Sequence, residues 1–143
     1  NYKNIIEKQL RPKARLDIIG MLEENKIIPS SMIDISDGLA SELIHLSTNS
    51  GLRVKIFEEK LPVFDETKSV SKEFNLDFVN CALNGGEEYE LLFSISTKEY
   101  DLIKSKNINI TPIGYFTRDK NNIIVLSNNN EKALKPFGWN HFK

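Results

Sequence analysis

Between residues 14 and 56 the spacing of apolar residues changes period three times, and this constrains the fold more than any other feature. Leu16, Ile19 and Leu22 recur at helical spacing, which predicts a helix from Ala14 to about Asn25. Met32-Ile33-Asp34-Ile35 then reads as a short strand, followed by an Asp37-Gly38 turn with Asp37 suited to cap a helix. That helix runs from Leu39 to about Ser47, with Leu39, Leu43 and Leu46 on one face. After Ser50-Gly51, the alternation in Leu52-Arg53-Val54-Lys55-Ile56 marks a half-buried strand. Helices and strands interleaved in this way pack as layers. The expected class is α+β (mixed α/β layers), with helices packed on a mixed sheet.

Further along, Ser71 to Leu83 is expected to be helical in one or two pieces, with Phe74, Phe78 and Leu83 turned to the core. Tyr89 to Ile95 reads as a buried strand, and Thr97 is expected to cap a helix through Lys104. Ile108–Phe116 and Asn122–Leu126 are expected to be strands joined around Thr117-Arg118-Asp119-Lys120, and Asn128-Asn129-Asn130 a loop. With 143 residues and no internal linker, residues 1–143 are read as a single domain.

The 19 basic residues nearly balance the 20 acidic ones, leaving a net charge of −1. General electrostatic binding to nucleic acid or to an acidic membrane needs a basic surplus, so neither partner is expected. The single cysteine, Cys81, can form no internal disulfide, which fits a cytoplasmic setting. His45 and His141 lack metal-ligand spacing, and neither a nucleophile triad nor a glycine-rich phosphate loop is present.

Chemistry concentrates in two clusters. In Asp34-Ile35-Ser36-Asp37-Gly38, two carboxylates and a hydroxyl meet at a strand-to-helix turn. Carboxylates are hard donors suited to Mg²⁺, which takes one or two of them together with phosphate oxygens. The same pattern also fits Asp37 as a plain helix cap with Asp34 solvated. In Asn84-Gly85-Gly86-Glu87-Glu88-Tyr89-Glu90, paired glycines permit close backbone approach and three acids precede an apolar strand. Here the alternatives are a simple turn with solvated glutamates, or an acid that contacts a cationic or amino-bearing ring. Trp139 could stack on a ligand ring or anchor the tail.

Together, Ile33-Asp34-Ile35-Ser36-Asp37-Gly38-Leu39, Gly85-Gly86-Glu87-Glu88-Tyr89-Glu90-Leu91-Leu92-Phe93 and Gly138-Trp139-Asn140-His141-Phe142 resemble thiamine-monophosphate kinase in order and spacing. The upstream Arg11-Pro12 and Arg15 share the resemblance. The first motif alone points only to the wider superfamily of aminoimidazole-ribotide synthetase, selenophosphate synthetase and hydrogenase-maturation proteins.

The resemblance implies a fold like the C-terminal domain of aminoimidazole-ribotide synthetase and transfer of the ATP γ-phosphoryl to thiamine monophosphate. It also implies Mg²⁺ at Asp34 and Asp37, ATP contact at Ser36, and substrate contacts at Glu87 and Trp139. Glu88 stands where the family usually has Asp, and no role is assigned to it.

The match extends over the C-terminal half of the family's protein. The resemblance therefore implies a missing N-terminal domain carrying further metal-binding acids, most of the nucleotide site and the homodimer contacts, so the isolated domain is expected to be inactive. The competing expectations are a related ATP-using enzyme with another acceptor, or a non-catalytic nucleotide- or metal-binding module.

Overall fold

A computed structural model describes residues 6–7, 10–87, 89–106 and 109–136. In chain order the elements are α1 (Leu16–Glu24), β1 (Ser31–Asp34), α2 (Leu39–Ser50), β2 (Arg53–Phe57) and a 3-10 turn (Glu58–Lys60). They continue with α3 (Asp65–Glu73), α4 (Phe78–Asn84), β3 (Leu91–Ser94), α5 (Thr97–Ile103), β4 (Gly114–Thr117), β5 (Ile123–Val125) and β6 (Glu131–Ala133). Among the described residues no helix is long and apolar enough to cross a membrane.

The strands form two sheets. β1 and β3 pair antiparallel, with Asp34 opposite Leu91 and Ile33 opposite Leu92. The other sheet is mixed, in the order β4-β2-β5-β6. β2 runs antiparallel to β4 and parallel to β5, so β4 and β5 are not the hairpin expected from their shared turn. β2 is inserted between them, and the Thr117–Lys120 connection passes its start, where Arg53 Nε donates to the Lys120 carbonyl at 3.3 Å. The hairpin is instead β5–β6, and the three asparagines at 128–130 lie in its loop.

Among the described residues two apolar cores result. Leu39, Ala40 and Leu43 of α2 pack on Val54 and Ile56 of β2, with Ile124 and Leu134 completing that cluster. Ile18, Met21 and Leu22 of α1 meet Ile27 and Ile103 in the second. β3 faces both: Leu92 packs on the first core, while Leu91 and Phe93 pack on the second. Successive strand residues point to opposite faces, so the small β1–β3 sheet is a wall between the two cores.

Several local expectations change. In α1 the buried residues are Ile18, Met21 and Leu22, and Leu16 is 73% exposed. The 71–83 helical run is two helices, the first starting at Asp65, separated where Asn75 takes a positive φ of 54°. Leu83 does pack on the first core, but Val79 accompanies it there, while Phe74 and Phe78 face outward. Ser96, not Thr97, caps α5 through a reciprocal box: its hydroxyl accepts from Glu99 N–H, and Glu99 accepts from Ser96 N–H.

Gly114 sits where β4 crosses β2, and a Cβ there would lie 2.1 Å from the Lys55 carbonyl oxygen and 2.8 Å from Ile56 Cα. Gly114→Ala is expected to cost roughly 2–3 kcal/mol through forced separation of the strands. Gly20, inside α1, is the contrasting site, since an added Cβ would meet nothing within 4 Å. Gly20→Ala is expected to gain about 0.5–1 kcal/mol. Urea unfolding midpoints measure both, and similar shifts in the two variants would contradict the steric account.

Candidate functional site

Both chemistry-bearing clusters lie at the same end of the β1–β3 wall. Beyond Asp34, strand-like pairing continues through single hydrogen bonds. Ile35 N–H donates to the Glu90 carbonyl at 2.9 Å, Tyr89 N–H to the Ile35 carbonyl at 2.9 Å, and Glu87 N–H to the Ser36 carbonyl at 2.7 Å. The Asp-x-Ser-Asp-Gly and Gly-Gly-Glu segments are thereby stitched backbone to backbone.

Glycine is required for that approach. A Cβ on Gly86 would lie 2.6 Å from the Ser36 carbonyl oxygen, and one on Gly38, at φ 128°, would lie 3.1 Å from the Leu83 and Asn84 backbone. The acidic segment accepts strain in return: Glu87 and Tyr89 take left-handed φ values of 63° and 50°. Side chains in that region cost roughly 1–2 kcal/mol per residue, so neighbouring contacts must hold them there.

The expected site residues fall out as follows. Asp34, at the end of β1, and Asp37, in the turn, are both exposed. Ser36 is half-buried and its hydroxyl donates to Glu42 Oε1 at 3.3 Å. Glu87 is exposed in the same stitched loop. The backbone seam runs the segments that carry these four alongside one another. Trp139 and Glu88 lie outside the described residues.

Asp37 does not cap α2. The capping position is Gly38, with no side-chain cap, and the Asp37 N–H is satisfied from inside the helix by Glu42 Oε1 at 3.1 Å. Glu42 is 3% exposed and thus holds both Ser36 and Asp37 from below. The Asp37 carboxylate is thereby left facing solvent.

Two exposed hard-oxygen carboxylates beside a hydroxyl fit a Mg²⁺ ion that draws its other ligands from phosphate and from elsewhere. Among the described residues no group of three His, Cys, Asp or Glu side chains is disposed to hold a metal ion.

No family model matches the chain. The thiamine-monophosphate kinase of Buchnera aphidicola subsp. Schizaphis graminum (strain Sg) is 37% identical over 147 residues, covering 99% of this chain and 43% of that protein. That of Aquifex aeolicus (strain VF5) is 30% identical over 138 residues, covering 96% and 41%. A solved structure, AaThiL complexed with AMPPCP and TMP, matches with a TM-score of 0.78 at 30% identity, over 97% of this chain and 41% of that one. The chain is a relative of the thiamine-monophosphate kinases. It spans less than half the length of these relatives and corresponds to their C-terminal part. The α+β class and the kinase resemblance read from the motifs are both borne out.

Two features of this thiamine-monophosphate-kinase-like segment escaped the sequence reading. Glu42 is one, and its signal was present: an acid three residues after Leu39 and four before Leu46 falls on the apolar face of α2. The other is an ion cluster of Arg15, Asp17 and Glu90, whose members are 75 positions apart at the extreme. No local pattern announces such a contact.

Glu42→Leu removes the acceptor of the Asp37 N–H and is expected to cost about 1–3 kcal/mol, whereas Glu42→Gln keeps an acceptor and should cost about 1 kcal/mol or less. Denaturant titration of the two variants separates them. Equal losses would mean that the oxygen contact does not hold the loop.

Proposed function

We propose that this chain is the C-terminal domain of a two-domain, ATP-dependent thiamine-phosphate kinase. The reaction joins a phosphate oxygen of thiamine monophosphate to the γ-phosphorus of ATP and breaks the bond to the β-phosphate oxygen, giving thiamine diphosphate and ADP. The observation that supports this reading most is the stitching of the two motifs, which runs the segment carrying Asp34, Ser36 and Asp37 alongside the one carrying Glu87. The kinship with thiamine-monophosphate kinases supplies the acceptor.

In this reading Asp34 and Asp37 hold Mg²⁺, which, when bound, offsets the crowded negative charge of the phosphates. Ser36 contacts the nucleotide phosphates. Its hydroxyl is oriented by Glu42, so the loop arrives with its geometry already set. Glu87 contacts thiamine monophosphate from the strained loop, and Trp139 lies beside a thiamine ring. The acceptor oxygen is already anionic near neutral pH, so no general base is required of this chain, and none of its histidines is given a role. Two carboxylates are too few to offset the charge of a triphosphate and the acceptor phosphate together. The remaining acids and most of the ATP site come from the N-terminal domain, which also forms the homodimer, and the enzyme works in the cytoplasm. Residues 1–143 alone are inactive.

The test is a product assay on the longer protein that contains this chain, with Mg-ATP and thiamine monophosphate and chromatographic measurement of thiamine diphosphate. Asp34→Asn is expected to lower kcat on the order of 100-fold or more with KM for thiamine monophosphate nearly unchanged. Trp139→Ala should instead raise that KM roughly 10-fold. No thiamine diphosphate from a folded, ATP-binding protein would overturn the reading, and turnover by residues 1–143 alone would overturn the need for a second domain.

A further inference from the structure

We infer that Arg15 is a positioning residue for the substrate-facing loop at residues 85–90, acting through Glu90. The inference rests on the kinase reading for what the loop contacts, but not for the clamp itself.

Arg15 is the residue immediately before α1, and each of its three guanidinium nitrogens donates a hydrogen bond. Nε and one terminal nitrogen grip both carboxylate oxygens of Asp17 at 3.0 and 2.9 Å. The other terminal nitrogen reaches Glu90 Oε2 at 2.5 Å. The Arg15 side chain is only 19% exposed, against 63% for Asp17, so the Glu90 contact is the one shielded from water and salt. Asp17 fixes the orientation of the fork, and the Asp17 and Glu90 bonds together hold the guanidinium more firmly protonated than an isolated arginine.

Glu90 is the right place to clamp. Its carbonyl accepts from Ile35 N–H, it adjoins Tyr89 at φ 50°, and Leu91 next to it opens β3. Three residues before it, Glu87 holds φ 63°. Neither strained position is glycine, so both drift back to ordinary backbone angles unless the loop is held at each end. Gly86 against Ser36 holds one end. The Arg15–Glu90 pair holds the other.

This role differs from general stabilisation. Neither apolar core includes Arg15, so its loss should loosen the loop and leave the packed body standing. Of the two substrates, thiamine monophosphate meets Glu87 and should feel the change, whereas ATP meets the Asp34–Asp37 turn.

The experiment uses the longer protein with Arg15→Gln, Arg15→Lys, Glu90→Gln and the Arg15→Gln/Glu90→Gln double variant. Arg15→Gln is expected to raise KM for thiamine monophosphate roughly 10-fold, with KM for ATP within about 2-fold. Arg15→Lys should recover part of the loss, and the double variant should be no worse than the more severe single one. Amide hydrogen exchange of peptides covering residues 86–90 should quicken in Arg15→Gln and return toward wild type in Arg15→Lys.

Equal rises in both KM values, or unchanged exchange in the loop, would overturn the inference. If wild type makes no thiamine diphosphate while Arg15→Gln still quickens exchange at 86–90, the kinase reading fails and the clamp stands. Should Arg15→Gln not fold, Glu90→Gln removes the charge from the same contact from the other side and decides by the same readouts.

Discussion

Three backbone hydrogen bonds, from Ile35 to Glu90, Tyr89 to Ile35 and Glu87 to Ser36, run the two acidic motifs alongside one another. The placement of Asp34, Ser36, Asp37 and Glu87 relative to one another depends on that seam. Gly86 must be bare for Ser36 to come so near, and Gly38 must turn with positive φ against the end of α4. The seam extends β1–β3 pairing past the last ladder residues, so its register is inherited from Asp34 opposite Leu91. A one-residue slip would turn every side chain to the opposite face. Leu92 would then leave one core, and Leu91 and Phe93 the other.

That double burial explains why so small a sheet can position a site. A two-stranded ribbon is marginal in water, but this one has apolar layers on both sides, α2 with the mixed sheet on one and α1 with α5 on the other. Register errors are penalised in both cores at once. The strained residues Glu87 and Tyr89 sit directly beyond this rigid wall. They lie between glycine contacts and the Arg15–Glu90 pair, so local strain is carried by structure that is itself well fixed.

The sequence was most legible where period and punctuation agree. The strand at Met32, the helix opening at Leu39 and the alternating strand ending at Ile56 follow from spacing, and the structure keeps each within a few residues. The site was legible as two motifs, because unusual glycines and acids mark them. Their meeting was not, since hydrogen bonds between residues 35 and 90 have no local signature. Tertiary context also overrode plausible local readings. In α4, Val79 joins Leu83 at the core in place of Phe78. β2 entered between β4 and β5 because the connection from Thr117 to Ile123 is long enough to span two strand spacings. Asp37 is suited by its position to cap α2, one of the two uses its pattern allows, yet Gly38 holds the capping position. A buried Glu42 served its backbone instead.

That exchange of roles between Asp37 and Glu42 bears on function. A capping aspartate directs its oxygens at the helix's own N–H groups and has less to offer a ligand. With Glu42 serving the turn from within, the Asp37 carboxylate is left exposed, as Asp34 is. The cost is a nearly buried glutamate carboxylate, tolerable only because it is hydrogen-bonded. A helix that merely needed a start would be better served by Asp37 capping and an apolar residue at position 42. The arrangement present leaves Asp34 and Asp37 exposed while Glu42 is buried beneath the turn. The burial of Glu42 and the exposure of Asp37 are thus two sides of one exchange, in which an acid from within the helix serves the turn and the acid at the turn is released from capping.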